Sequence, residues 1–206
     1  MSKEPALLSA NDGLFALTAT RELIVSYLKN RYWVDTPKFY PQTLRRKQGV
    51  FVSIVEKIAY EDEERERYCL SVGNPLPNAR LIDAAFSAAT KVAIDLSSDL
   101  DVSSPPPISI LRLDIVGDLE LLNVTNPVRY TDLVRLGQHG LMTERGHYKG
   151  VLLPRVPIAE NWNVDEFLSQ CCIRAGLMAD AWLEKAVRIY RFQTQVFEEE
   201  LFEKRQ

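Results

Sequence analysis

Residues 137–157 read GQHGLMTERGHYKGVLLPRVP, and this stretch decides the fold. It holds four of the nine glycines and both histidines, His139 and His147. Two strand-like runs, 141–144 and 147–153, flank Arg145-Gly146. Glycine takes φ > 0 at little cost, so X-Gly between two such runs predicts a hairpin with a two-residue loop. In that register Glu144 faces His147, Met142 faces Lys149 and His139 lies opposite Leu152. The apolar run Val151-Leu152-Leu153 predicts a strand buried on both faces, stopped by Pro154. A helix follows. Asn163 and Glu166 have the spacing of a capping box, Phe167, Leu168, Cys171 and Cys172 supply a buried face, and Gly176 is placed to end it.

Upstream, Ser9, Asn11 or Asp12 caps a helix running to about Asn30, with Leu14, Leu17, Ile24 and Leu28 as its apolar stripe. Residues 31–48 form a connector with two prolines and the aromatic residues Tyr32, Trp33, Phe39 and Tyr40, a composition that predicts packing against the core. Pro41 opens one helical turn, and Arg45-Arg46-Lys47 is a solvated charge run. GVFVSIVEKIAY, 49–60, is a central strand, and 68–72 its hairpin partner across a charged, exposed turn at 61–67. A rigid loop, 73–78, leads to a helix from Ala79 to about Ile94, capped by Asn78. The proline-rich segment 95–107 is the predicted lobe boundary. In 109–115, Leu111, Leu113 and Ile115 share one strand face while Arg112 and Asp114 share the other. A short strand at 119–124, a short helix capped by Thr131, a helical turn at 180–184 and a closing strand at 187–198 complete the chain. That closing strand places Tyr190, Phe192, Thr194 and Val196 on one face. The order predicts an α+β fold: one domain over 1–206, mixed or antiparallel sheets with helices packed on their faces, in two lobes around a cleft.

A chain of 206 residues, 46% hydrophobic and 26% charged, buries about 70% of its unfolded surface as a globular protein. The net charge of −3 argues against broad nucleic-acid binding while leaving room for a local basic patch. Three cysteines, two adjacent, give neither a disulfide framework nor zinc spacing, which predicts a reducing cytosol. The longest uncharged run, 68–79, is too short for a membrane span, and the N-terminus lacks a signal-peptide core.

Leu136-Gly137-Gln138-His139-Gly140-Leu141, followed by Gly146, Gly150 and Leu152-Leu153-Pro154-Arg155-Val156-Pro157, resembles the signature of the AMMECR protein family. The likeness runs on through Trp162, Asp165-Glu166-Phe167-Leu168, Ala175-Gly176-Leu177 and Trp182 to Phe197-Glu198-Glu199-Glu200. Upstream it fades to Gly49-Val50-Phe51-Val52 and the Gly73-x-Pro75-x-Pro77 loop. The family hallmark Leu-Arg-Gly-Cys-Ile-Gly, suspected of lining a functional site, falls in register on Tyr68-Cys69-Leu70-Ser71-Val72-Gly73. Only Gly73 is identical; Ser71 stands at the family cysteine and Cys69 at the arginine. A second family block, Asp-Pro-Arg-Phe-Pro-Pro, is absent. The resemblance implies a divergent, uncharacterised member. Family relatives occur joined to, or encoded near, Memo-like and radical S-adenosylmethionine proteins, which implies an accessory role in a modification pathway.

A strand repeat of two sends Cys69 and Ser71 to the same face, about 6–7 Å apart. A catalytic thiol needs a base or a positive field, and Arg65 and Arg67 are the nearest cations in sequence. His139, bracketed by glycines, is a turn residue or the base for such a thiol. Arg155, after a strand and before two turns, is a candidate anion ligand, and Gly73 a candidate ligand-binding position in its loop. The two histidines are too far apart in the predicted hairpin for a metal pair, about 17 Å along the strand. No P-loop, Rossmann fingerprint, HExxH, CxxC or GxSxG occurs, so the sequence leaves the cofactor unknown. Two functions follow: a binding or accessory module recognising a small molecule or partner in a cleft, or an enzyme using Cys69 or Ser71 with His139.

Overall fold

A computed structural model describes residues 7–60, 63–99 and 109–200. Two compact units result, Met1–Val116 with Gln195–Gln206, and Gly117–Thr194. The predicted boundary at 95–107 lies mostly outside the described residues.

In the first unit α1, Ala10–Asn30, begins at Ser9, whose hydroxyl accepts the Asp12 N–H at 3.1 Å. Its buried face is Gly13, Ala16, Leu17, Ala19, Thr20, Leu23 and Ile24. Leu14, expected in the stripe, is 52% exposed. The arc is turned toward small residues because the Phe197 ring lies over Gly13, where a larger side chain would collide. A 3₁₀ turn, Gln42–Arg45, starts after Pro41 as expected. The first hairpin pairs β1, Gly49–Tyr60, with β2, Glu63–Asn74, antiparallel. The predicted charged turn is therefore mostly strand. Glu56 pairs with Arg67 across the strands and their side chains form an ion pair, an opposite-charge rung that favours extending the ladder.

α2, Leu81–Asp99, starts two residues later than predicted and runs past Ile94. Residues 79–81 bond back to the 46–48 segment instead: Gln48 N–H donates to Ala79 O, and Leu81 N–H to Arg46 O. Asn78 is no cap; its N–H donates to Leu76 O. With β3, Ser109–Val116, and β8, Thr194–Glu200, the first sheet has the order β2-β1-β3-β8. Val50, Val52 and Ile54 of β1 and Leu111, Leu113 and Ile115 of β3 pack with α1 and α2 into one core.

In the second unit β4, Glu120–Leu121, β5, Gly140–Arg145, β6, Tyr148–Leu152, and β7, Arg188–Phe192, form a sheet of order β4-β7-β5-β6. α3, Tyr130–Leu133, follows a 3₁₀ turn capped by Asn126; Thr131, the expected cap, donates to Val128 O inside that turn. α4 spans Val156–Ala159 and α5 Val164–Arg174. The capping box is complete: Glu166 N–H reaches Asn163 Oδ1 at 2.9 Å, and Asn163 N–H reaches Glu166 Oε2 at 2.8 Å. α5 ends in a Schellman motif. Gly176, φ 76°, donates to Ile173 O and Leu177 N–H to Cys172 O.

The second hairpin differs from its predicted register. Glu144 faces Lys149 and Arg145 faces Tyr148, so the loop is Gly146-His147. Gly146 has φ 61° at the first loop position, as a type II′ turn requires. Strand twist favours that turn, and the shift also brings Lys149 Nζ within 3.0 Å of Glu144 Oε1. Gly146→Val should cost about 1–2 kcal/mol from backbone strain alone, since a Cβ there meets nothing within 4 Å. An unchanged melting curve would exclude the positive φ.

Two further expectations are corrected. β6 is an edge strand whose Val151 and Leu152 are half-buried, not enclosed on both faces; Leu153, beyond its end, is buried. The predicted closing strand is two strands broken at Gln193. β7 joins the second sheet and β8 the first, so Tyr190 and Val196 share no strand face. Every pairing with a described register is antiparallel, and the fold is α+β.

Candidate functional site

The hallmark segment lies in β2, and a bulge decides where its side chains point. Ile54 pairs with Leu70 but Val55 with Tyr68, leaving Cys69 as the extra residue on β2. A bulge breaks the two-residue repeat, so the argument that put Cys69 and Ser71 on one face fails. Ser71 pairs with Ser53, and their hydroxyls are 2.9 Å apart. Cys69 instead lies beside Glu56 and Arg67, its Sγ 3.8 Å from Arg67 O. Glu56 and Ser53 are three residues apart on β1 and so belong to opposite faces.

The rung through Ser71 and Ser53 continues to Arg112 on β3. Arg112 is fully buried on the sheet face opposite the α1–α2 core, with buried Ser53 and Asp114 on the same face. Its guanidinium makes a bidentate pair with Glu66, Nη1–Oε2 3.0 Å and Nη2–Oε1 2.8 Å. From β8, Glu198 Oε2 accepts from Nε at 2.9 Å and from Nη2 at 2.7 Å. Burying a guanidinium is costly unless its donors are met by charge, and these contacts meet it while fixing three strands. The carboxylates sit at the rim, their side chains 29% and 43% exposed.

Sequence reasoning missed Glu66, Glu198 and Ser53. The one available signal was Arg112 alternating with Asp114 inside an apolar strand, a pattern that places charge on a sheet face without naming its partners.

The thiols are not activated. Burial first, and then the Glu56 carboxylate, push the Cys69 thiol above its ordinary range; Arg67 opposes but is paired with Glu56. The positive field expected from Arg67 is thereby cancelled, and the Arg65 side chain lies outside those described. Burial drives Cys171 up to about 12 and also raises Cys172. Cys171 Sγ donates to Gly150 O at 3.5 Å in the core of the second unit. Cys69 should still alkylate first with iodoacetamide because it alone is exposed, but slowly, and Arg67→Gln, which leaves the Glu56 carboxylate unopposed, should slow it further by mass spectrometry.

His139 belongs to the second unit, whereas Cys69 and Ser71 belong to the first. Its Nδ1 accepts the Arg135 main-chain N–H at 3.0 Å, while the His139 main-chain N–H donates to Arg135 O at 2.9 Å. The ring is a buried turn clasp. Burial, reinforced by Arg191 and Arg135, lowers its pKa, with Glu120 opposing. A folded pKa below the unfolded value near 6.5 favours the folded state above that pH, and the advantage is lost as pH falls from there through the folded pKa. Wild type should therefore lose melting temperature between about pH 7 and 5 relative to His139→Gln; parallel curves would exclude the clasp.

Gly73 faces Phe51 across the hairpin, and a Cβ there would strike the backbone at Phe51 Cα, 2.6 Å away, so its place is explained by packing. Arg155 is exposed at the start of α4. His147 is exposed in the hairpin loop. Among the described residues no cluster of three or more His, Cys, Asp or Glu has metal-binding geometry, and no helix is long and apolar enough to cross a membrane.

The AMMECR1 family model matches residues 17–197. The chain belongs to the AMMECR1 family. It is 35% identical over 204 residues to Protein MJ0810 of Methanocaldococcus jannaschii, covering 94% of this chain and 92% of that one. Protein MK0488 of Methanopyrus kandleri is 34% identical over 195 residues, covering 94% and 91%. The crystal structure of uncharacterized protein PH0010 from Pyrococcus horikoshii is similar with a TM-score of 0.75 at 29% identity, over 93% of each chain. The AMMECR1 match spans both compact units.

Proposed function

We propose that this AMMECR1 family member is a binding or accessory module that recognises a small molecule or protein partner through the polar face of its first sheet. The observation that carries the reading is the rung Ser71–Ser53–Arg112, at the position where the family hallmark falls. Its buried floor is held rigid by Glu66 and Glu198, and Ser71 with those carboxylates forms a partly exposed rim. Fixed polar groups beside a reachable rim suit recognition, because little ordering remains to be done on binding. The raised pKa of the Cys69 thiol and its separation from Ser71 favour binding over thiol chemistry. Service in a modification pathway beside Memo-like or radical S-adenosylmethionine proteins is the finer form of the proposal and rests on the association of family relatives.

An unbiased metabolite and protein pull-down tests it, comparing wild type with Ser71→Ala and Cys69→Ala at matched melting temperature. Capture should fall with Ser71→Ala and persist with Cys69→Ala. Capture indifferent to Ser71→Ala would remove the site. A captured metabolite converted to product only while Cys69 and His139 are intact would establish the enzyme instead.

A further inference from the structure

The end of α1 and the connector that follows it carry a charge distribution unlike the rest of the chain. Residues 29–47 hold six cations, Lys29, Arg31, Lys38, Arg45, Arg46 and Lys47, against one acid, Asp35, while the whole chain has net charge −3. All six cations are exposed, and among the described residues none of them forms an ion pair. Several arginines elsewhere are neutralised at close range, as Arg80 is by Asp83 and Arg129 by Asp132, and among the described residues the exposed arginines that are not, Arg135 and Arg174, stand apart rather than in one segment. Unpaired like charge held in one short segment opposes folding and indicates an external counter-charge.

Aromatic rings lie along the same segment. Phe39 is 89% exposed, Tyr32 66% and Trp33 40%. The segment is laid back along α1 rather than left loose. Trp33 stacks on Tyr27 near the helix C-terminus, centroids 3.8 Å apart at 17°. Phe39 and Pro37 line a groove of about 470 Å³ with Leu14 and Phe15, and Thr43 donates to the Asp12 carboxylate at 2.8 Å. Tyr27 to Asp12 is a helical rise of about 22 Å, so the connector is a track of that order. Two arginines are pre-positioned on rings: Arg31 lies 5.3 Å over Tyr27, and Arg45 lies 5.5 Å over Tyr40. Guanidinium and aromatic faces alternating along an extended path match a polymer that alternates phosphate and base. The extended part of the connector, 31–41, forms no amphipathic helix, the usual device for lying on a membrane surface.

We infer that the segment 29–47, anchored along α1, is a docking surface for single-stranded nucleic acid. Phosphates contact the exposed cations, and bases stack on Tyr32, Trp33 and Phe39. The track length suits a short site near the lower end of the range of about 4–16 nucleotides for single-strand binding folds. The inference concerns a different surface from the Ser71–Ser53–Arg112 rung and does not rest on it.

Fluorescence anisotropy of the full chain with labelled twelve-nucleotide oligouridine and oligothymidine tests it. If about four phosphates are neutralised, affinity should fall about 50-fold between about 50 and 200 mM salt, a log–log slope near −3. Arg45→Gln/Arg46→Gln/Lys47→Gln should reduce that slope by about two. Tyr32→Ala should weaken binding about tenfold at unchanged slope, because it removes stacking and no charge. The substituted side chains are exposed, and circular dichroism with a melting curve confirms each variant's fold. Absence of binding at the lower salt, a slope unchanged in the triple variant, or equal binding of a duplex that ignores Tyr32→Ala would overturn the inference. So would binding to phosphatidylserine vesicles, or to an acidic peptide, with none to either oligonucleotide.

Discussion

Replacing Glu66 and Glu198 together by glutamine is expected to destabilise the first unit by about 3–5 kcal/mol, far more than replacing the residue they hold. Arg112 is fully buried, and the two carboxylates supply close contacts to its Nε, Nη1 and Nη2. With both neutralised, a guanidinium is left in a low-dielectric site with much of its compensation gone, and it cannot shed its proton. Arg112→Met is the opposite case. Its charge leaves with it, a side chain of similar length fills the space, and Glu66 and Glu198 rehydrate from the rim, so the cost should be only about 1–2 kcal/mol. Urea denaturation at constant m-value measures both. The triple variant should recover most of the loss, which isolates the coupling as a double-mutant cycle does. An Arg112→Met cost exceeding that of the double glutamine variant would show that the arginine is held by packing rather than by charge.

Gly150→Val should destabilise the second unit by about 3 kcal/mol, and Gly150→Ala by only somewhat less. A Cβ at Gly150 would sit 2.5 Å from Cys171 O and 2.8 Å from the Arg174 carbonyl carbon, both main-chain atoms of α5. Side chains yield to an intruding methyl by changing rotamer, but a helix backbone moves only as a body, and α5 is fixed by a cap at each end. The collision would also separate the Cys171 thiol from Gly150 O, which it meets at 3.5 Å. Thermal melting of Gly150→Ala beside Gly146→Ala separates steric from backbone effects, because the Gly146 site is open and only its φ of 61° is strained. Equal losses in the two variants would mean that α5 retreats from the sheet at little cost.

What the sequence determined by itself is local. Ser9 starts α1, and Asn163 with Glu166 starts α5, because a cap is satisfied by atoms three residues away. β1 was legible from end to end, since twelve residues without a breaker and rich in β-branched side chains leave little alternative. The buried face of α5, Phe167, Leu168, Cys171 and Cys172, followed from helical spacing alone. Several errors of reading had pairing as their cause. The second hairpin shifted because Glu144 and Lys149 pair across it, and the first was extended past Tyr68 by a cross-strand ladder whose Glu56–Arg67 rung joins opposite charges. The break at Gln193 depends on two sheets competing for one extended run, which alternation of side chains cannot reveal.

Only the tertiary structure decided the candidate site. Arg112 meets Glu66 across 46 positions and Glu198 across 86, and nothing local distinguishes those carboxylates from other acids in the chain. The bulge at Cys69 separated two residues that a strand repeat had joined. A capping bond is specified by residue type and spacing, whereas a cross-strand contact is specified by register, and register is set by the free energy of the whole sheet and its core.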